Sequence, residues 1–155
     1  MSRAFTKEID DAPPPALPDR PIGTPPFLVT PRGAELIEAK VAELDEAIEQ
    51  ANDPSATEAL AREQRYWVAR HAGMEIVPPV ERPVAIAFGV TATIRRRGKT
   101  VTITIVGEDE ADPAAGCIAF TAPLARALEG AEVGDIIEFE AGGNSEDIEV
   151  LAVGS

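Results

Sequence analysis

The sequence predicts an α+β protein: an N-terminal antiparallel helical hairpin of coiled-coil type, then a small antiparallel sheet with one short helix. Three observations predict it. Two stretches of roughly twenty residues, the first with apolar residues four and three apart and the second with a repeat of seven, flank the breaker Asn52-Asp53-Pro54-Ser55. A connector containing Pro78-Pro79 and Pro83 follows them. Beyond it Val101, Ile103 and Ile105 alternate with Thr100, Thr102 and Thr104, the period of a half-buried strand.

Residues 1–29 read as a flexible, Pro-rich tail, because Pro13-Pro14-Pro15, Pro18, Pro21 and Pro25-Pro26 oppose a helix and favour extended backbone. Phe27, Leu28 and Val29 are expected to dock near the base of the first helix. The hairpin spans about 30–75. Thr30 serves as N-cap and Pro31 opens the first helix. Ile37, Val41, Leu44 and Ile48 form its seam, with Leu60, Trp67 and Met74 facing them from the second helix. Asp53 or Asn52 caps that second helix, and Pro54 takes its first turn. Tyr66 and Trp67 are expected to pack at the base, and His71 to sit as a cation at a helix C-terminus.

A C-terminal domain is expected over 80–155. Its strands are Ala85–Phe88, Val90–Arg95, Thr100–Val106, Cys117–Thr121, Ile136–Glu140 and Ile148–Val153. Its helix is Pro123–Leu128, closed by Gly130 and capped by Thr121 or Ala122, of which only Thr121 has a side-chain oxygen.

The chain has 155 residues, 45% hydrophobic and 5% aromatic, so its core is mostly Ala, Val, Ile and Leu. A formal net charge of −13 argues against sequence-specific nucleic-acid binding and against an anionic membrane surface, and favours a basic protein partner. One cysteine, Cys117, permits no internal disulfide, and one histidine beside it builds no ordinary zinc site. No apolar run approaches the ~20 residues of a membrane span. A bacterial cytoplasm is the expected location.

The stretch Ile105–Gly134 carries three ordered blocks: Val106-Gly107 with Asp109-Glu110-Ala111-Asp112, then Pro123-Leu124-Ala125-Arg126-Ala127-Leu128, then Val133-Gly134-Asp135. They resemble the V-G-x-D-E-A-D, S-P-[LIM]-A-R-[AG]-L and V-G-D blocks of the C-terminal domain of the bacterial transcript-cleavage factors GreA and GreB. Ala122 replaces the family's Ser. Val29-Thr30-Pro31-Arg32-Gly33 is similar to the V-T-x-x-G that opens the family's first helix. The resemblance implies an FKBP-like fold for the C-terminal half. It implies RNA polymerase as partner, with the hairpin entering the secondary channel and the C-terminal domain gripping a helical coiled coil at the channel's rim. Asp109, Glu110, Asp112, Pro123, Leu124, Ala125 and Arg126 are the expected contacts, an acidic loop beside an apolar helix start suiting a basic helical target.

The family's tip carries G-D-x-S-E-N-A-[ED]-Y, whose Asp and first Glu help hold the polymerase's catalytic magnesium. Two carboxylates suit a hard cation that retains waters. Here Asp53 and Ser55 match, Ala56 stands at the Glu position, and Glu58 lies farther along. The arms are also shorter than in cleavage factors. The chain therefore looks more like the truncated relatives, such as the regulator of nucleoside diphosphate kinase. The resemblance implies no catalysis and no cofactor of its own, with Asp53 and more weakly Glu58 the tip candidates for contact with the polymerase magnesium. Asp53 has a plainer role open to it as a helix N-cap. Two other functions compete. One is an acidic interaction module unrelated to polymerase. The other is an FKBP-type peptidyl-prolyl isomerase, which needs an aromatic-lined pocket where this half offers only Phe88, Phe120 and Phe139.

Overall fold

Thr30 and Asp53 start the two long helices. In the computed structural model, which describes residues 18–154, Thr30 accepts the Gly33 N–H and Pro31 opens α1, Pro31–Gln50. Asp53 accepts the Ala56 N–H at 3.2 Å and Pro54 opens α2, Pro54–Gly73. Pro54 cannot sit inside a continuing helix, so the chain reverses over the three residues between the helices. The helices pack side by side in opposite directions. Gln64 hydrogen-bonds Asp45, and His71 lies 3.7 Å from Glu38. Ile37 and Leu44 are buried in the seam. Val41, Ile48, Leu60 and Trp67 are only partly buried, because two helices alone cannot enclose a full apolar stripe.

Two short strands close the base of this pair. β1, Phe27–Val29, runs parallel to β2, Met74–Ile76, with Phe27 opposite Met74 and Val29 opposite Ile76. The end of the expected flexible tail is thus ordered: Phe27 and Val29 are buried, and Val29 packs with Ala34, Ile37, Trp67 and Met74. Residues 1–17 of that expected tail lie outside the described residues.

The C-terminal half forms a five-stranded sheet from β3 (Thr91–Arg96), β4 (Lys99–Val106), β5 (Cys117–Ala119), β6 (Ile136–Ala141) and β7 (Asn144–Val153), in the order β5-β4-β3-β7-β6. It is mixed, which corrects the all-antiparallel expectation. β5 returns parallel to β4 through two single 3₁₀ turns at Glu108–Glu110 and Pro113–Ala115, with Thr104 opposite Cys117. The expected strand Ala85–Phe88 is absent. Ala85 makes only an isolated bridge to Glu132, and Ile86 exchanges backbone bonds with Gly130 and Ala131 after the short helix. That helix, α3, Pro123–Leu128, has the expected bounds, but its N-cap is Ala122, which offers no side-chain oxygen, and not Thr121.

Alternation along the strands puts Ala92, Ile94, Ile103, Ile105, Ile148 and Val150 on one face, where α3 covers them with Ala125 and Leu128. Ile148 is fully buried at the centre of this core. Ile148→Ala is expected to cost about 2–5 kcal/mol of unfolding free energy, read from the shift of a urea denaturation midpoint.

Candidate functional site

The acidic stretch expected to face a partner divides into an inward and an outward half. Glu108–Glu110 forms a single 3₁₀ turn at the end of β4, and that turn lies against the base of the helix pair. Asp109 points inward, its side chain 6% exposed. One carboxylate oxygen accepts the Tyr66 hydroxyl at 2.5 Å, and the other accepts Arg70 Nε at 2.6 Å. Arg70 is buried too, with Nη1 donating to the Ile22 carbonyl at 3.0 Å and its guanidinium 4.0 Å over the Phe27 ring. Tyr66 and Arg70 are four residues apart on α2, so they share a face.

Glu110 is 5% exposed and likewise serves the fold. Its carboxylate accepts the Thr30 hydroxyl, the Thr30 N–H at 3.0 Å and the Gly107 N–H at 3.1 Å. The Thr30 that caps α1 is thereby tied to the C-terminal domain. The glycines of the two motifs now have a physical reason. A Cβ on Gly33 would fall 2.3 Å from the Glu110 carboxyl carbon, and one on Gly107 would fall 2.4 Å from the Leu28 carbonyl oxygen. The expectation that Asp109 and Glu110 are exposed partner contacts is therefore corrected. A carboxylate this deep must spend its lone pairs on internal donors.

The outward half is Glu108, half exposed, and Asp112, whose side chain is exposed while its backbone exchanges both hydrogen bonds with Cys117. The other expected contacts lie on α3. Pro123 and Arg126 are exposed, Leu124 is partly buried and Ala125 is buried. They do not form one surface. Ala125 and Arg126 line a mainly apolar cavity of about 350 Å³ with Leu28, Phe88, Phe120 and Glu129, where the two phenylalanine rings meet edge to face at 5.4 Å. Leu124 faces a separate groove beside Val101 and the Pro113–Gly116 turn.

The tip candidates stand apart as well. Asp53 is engaged as an N-cap through Ala56 N–H, and its carbonyl accepts the Thr57 N–H and hydroxyl. Glu58 is exposed and lies 3.7 Å from Arg65. Among the described residues no three of His, Cys, Asp or Glu cluster as a metal site, and no helix is long and apolar enough to cross a membrane. Sequence reasoning missed Tyr66 and Arg70 as partners of the acidic motif. The available signal was an arginine one turn beyond the chain's single tyrosine, on a helix whose base must meet that motif.

Residues 81–155 match the family model described as "Transcription elongation factor, GreA/GreB, C-term". Residues 81–155 therefore form a C-terminal domain of the GreA/GreB type. The chain is 44% identical over 70 residues to transcription elongation factor GreA of Thioalkalivibrio sulfidiphilus (strain HL-EbGR7), over 44% of each chain. It is 34% identical over 105 residues to GreA of Alkalilimnicola ehrlichii, over 60% of this chain and 66% of that one. These matches thus span 44% and 66% of the two relatives' length. A solved structure, the prokaryotic transcription elongation factor GreA/GreB from Nitrosomonas europaea, aligns over 85% of this chain and all of its own at 24% identity, with a TM-score of 0.42.

Two outcomes are expected from this geometry. Asp109→Ala strands the buried Arg70 and should cost about 3–5 kcal/mol, while Asp112→Ala should stay within about 0.5 kcal/mol, both read by chemical denaturation. The second concerns pH. Burial, and then the hydrogen bond to the Asp109 carboxylate, push the Tyr66 hydroxyl up from 10.0 to about 12. A raised folded value means that the stabilisation is complete below the unfolded value near 10 and is lost as pH rises towards 12. The chain's single tyrosine makes phenolate absorbance a direct measure. Its midpoint should fall to the ordinary tyrosine value in denaturant.

Proposed function

We propose that this protein binds bacterial RNA polymerase in the cytoplasm through its C-terminal domain, places the helix pair in the secondary channel, and stimulates little or no transcript cleavage. It does no chemistry and brings no metal. It acts by occupying the channel. The observation that carries this reading is the state of the tip. Asp53 spends a carboxylate oxygen on the Ala56 N–H, and Ala56 itself stands where a second carboxylate would be needed. One capped carboxylate is a poor substitute for two free ones around a magnesium ion that demands near-octahedral oxygen ligands. Glu58 does not repair the loss, since it points towards Arg65 on the same helix. Arms of 20 residues, about 30 Å each, support a short reach.

The α3 cavity supports the docking half of the reading. Its apolar lining suits apolar side chains from a helical element at the channel's rim, with Arg126 and Glu129 to pair with charges around them. Asp112 and Pro123 stay exposed as further candidate contacts, and Leu124 lines a second, separate groove. The GreA/GreB-type C-terminal domain favours this over an acidic module unrelated to polymerase and over a peptidyl-prolyl isomerase.

Backtracked elongation complexes with labelled RNA test both halves. The protein should compete with a full-length cleavage factor while yielding little cleavage product of its own, and Arg126→Glu should weaken the competition. Cleavage at the level of the full-length factor, abolished by Asp53→Asn, would falsify the tip reading. Failure to compete at all would remove polymerase as the partner.

A further inference from the structure

The segment just ahead of β1 lies along α2, and its contacts fall on the residues that hold Asp109 or on their neighbours. Asp19 takes both Arg65 Nη2 at 2.7 Å and Nε at 3.1 Å. Arg20 pairs with Glu63 at 2.9 Å and lays its guanidinium 3.8 Å over the Tyr66 ring. The Ile22 carbonyl receives Arg70 Nη1. Glu63, Tyr66 and Arg70 are spaced three and four apart, so one extended segment can track a single helix face. Tyr66 and Arg70 are also the two donors to Asp109, the carboxylate through which α2 grips the C-terminal domain.

We propose that Asp19–Thr24 is a strap that fixes the angle between the helix pair and the C-terminal domain, by holding Tyr66 and Arg70 in the rotamers that reach Asp109. Arg70 acts as a three-way fork: Nε goes to Asp109, Nη1 to the strap carbonyl, and Nη2 lies 3.7 Å from Glu108. Without the strap, Nη1 loses its fixed acceptor and the guanidinium gains freedom to leave Asp109. Arg20 does the same for Tyr66 by stacking on its ring. The two outer anchors, Asp19–Arg65 and Arg20–Glu63, are exposed and therefore screened by salt. The inner pair is buried and screened far less. The lock consequently loosens from the strap inward as ionic strength rises. The strap is a property of the chain alone and does not depend on polymerase binding.

Pulsed EPR on the full chain reads this angle. With Cys117→Ser as background, spin labels go at Asn52→Cys on the tip and Glu140→Cys on β6, both exposed positions. The parent should show a narrow distance distribution at about 0.05 M salt that broadens at about 1 M. Asp19→Ala with Arg20→Ala should be broad at both, with a shifted mean and unchanged far-UV circular dichroism. Tyr66→Phe, which cuts the same link from the other side, should broaden the distribution too. A double variant as narrow as the parent at both salts would overturn the strap. A parent distribution unmoved by salt would overturn its salt dependence.

Discussion

A carboxylate withdrawn from water must be met by charge and by hydrogen bonds, and the rest of this structure is arranged around meeting one. Asp109 is held by Tyr66 and Arg70. A buried ion pair adds little net stability on its own, because desolvation offsets most of the attraction. What it does supply is geometry. The Arg70 fork reaches Asp109 properly only when α2, the segment before β1 and the turn after β4 stand in one relative position. Any other placement leaves a buried charge without a partner, and that penalty selects the observed arrangement.

Glu110 makes the same joint from the other helix. It satisfies the Thr30 hydroxyl and N–H at the start of α1 and the Gly107 N–H at the end of β4. Both glycines nearby are required by space: at Gly33 a side chain would enter the carboxylate, and at Gly107 it would meet the Leu28 backbone. Two motifs some eighty residues apart are thus the two halves of one contact, and their spacing in sequence reflects only the chain between them. Neither half has a purpose in isolation. A Thr-x-x-Gly helix start needs no glycine to form a cap, and an acidic turn needs no burial to be soluble.

Much of the fold was legible because its signals are local. Thr30-Pro31 and Asp53-Pro54 mark helix starts by backbone chemistry that acts within four residues, and both helices begin there. The alternation over 100–106 likewise marks β4. Three features were not legible, and each depends on something distant. Ala85–Phe88 has the composition of a strand, yet its backbone bonds go to the segment after α3. β1 and β2 are three residues each, too short to show a period, and they pair parallel across the whole helix pair. The acidic stretch reads outward because the resemblance implies partner contacts there and an acidic loop suits a basic target. Its internal partner, Arg70, lies 39 residues away on a helix where an arginine between Ala69 and His71 reads as one more solvated charge. Of the candidate site, Asp112, Pro123 and Arg126 remain on the surface and Asp109 and Glu110 do not, a division that composition alone cannot make.

The joint matters for function because of where it sits on the lever. It grips the helix pair at one end, through Thr30 at the start of α1 and Tyr66 and Arg70 in the last two turns of α2, while the tip lies at the other end. Over a helix of about 30 Å, an angular play of roughly ten degrees at the base moves the tip by about 5 Å. Reactions and channels are sensitive to displacements well below that. Under the function proposed above, in which the placement of the tip is what matters, stiffness at the base counts for more than chemistry at the end. The distribution of buried charge follows that need: among the described residues Arg70, Asp109 and Glu110 carry their charges nearly closed to water, all at the base, whereas Asp53 at the tip is exposed and caps a helix.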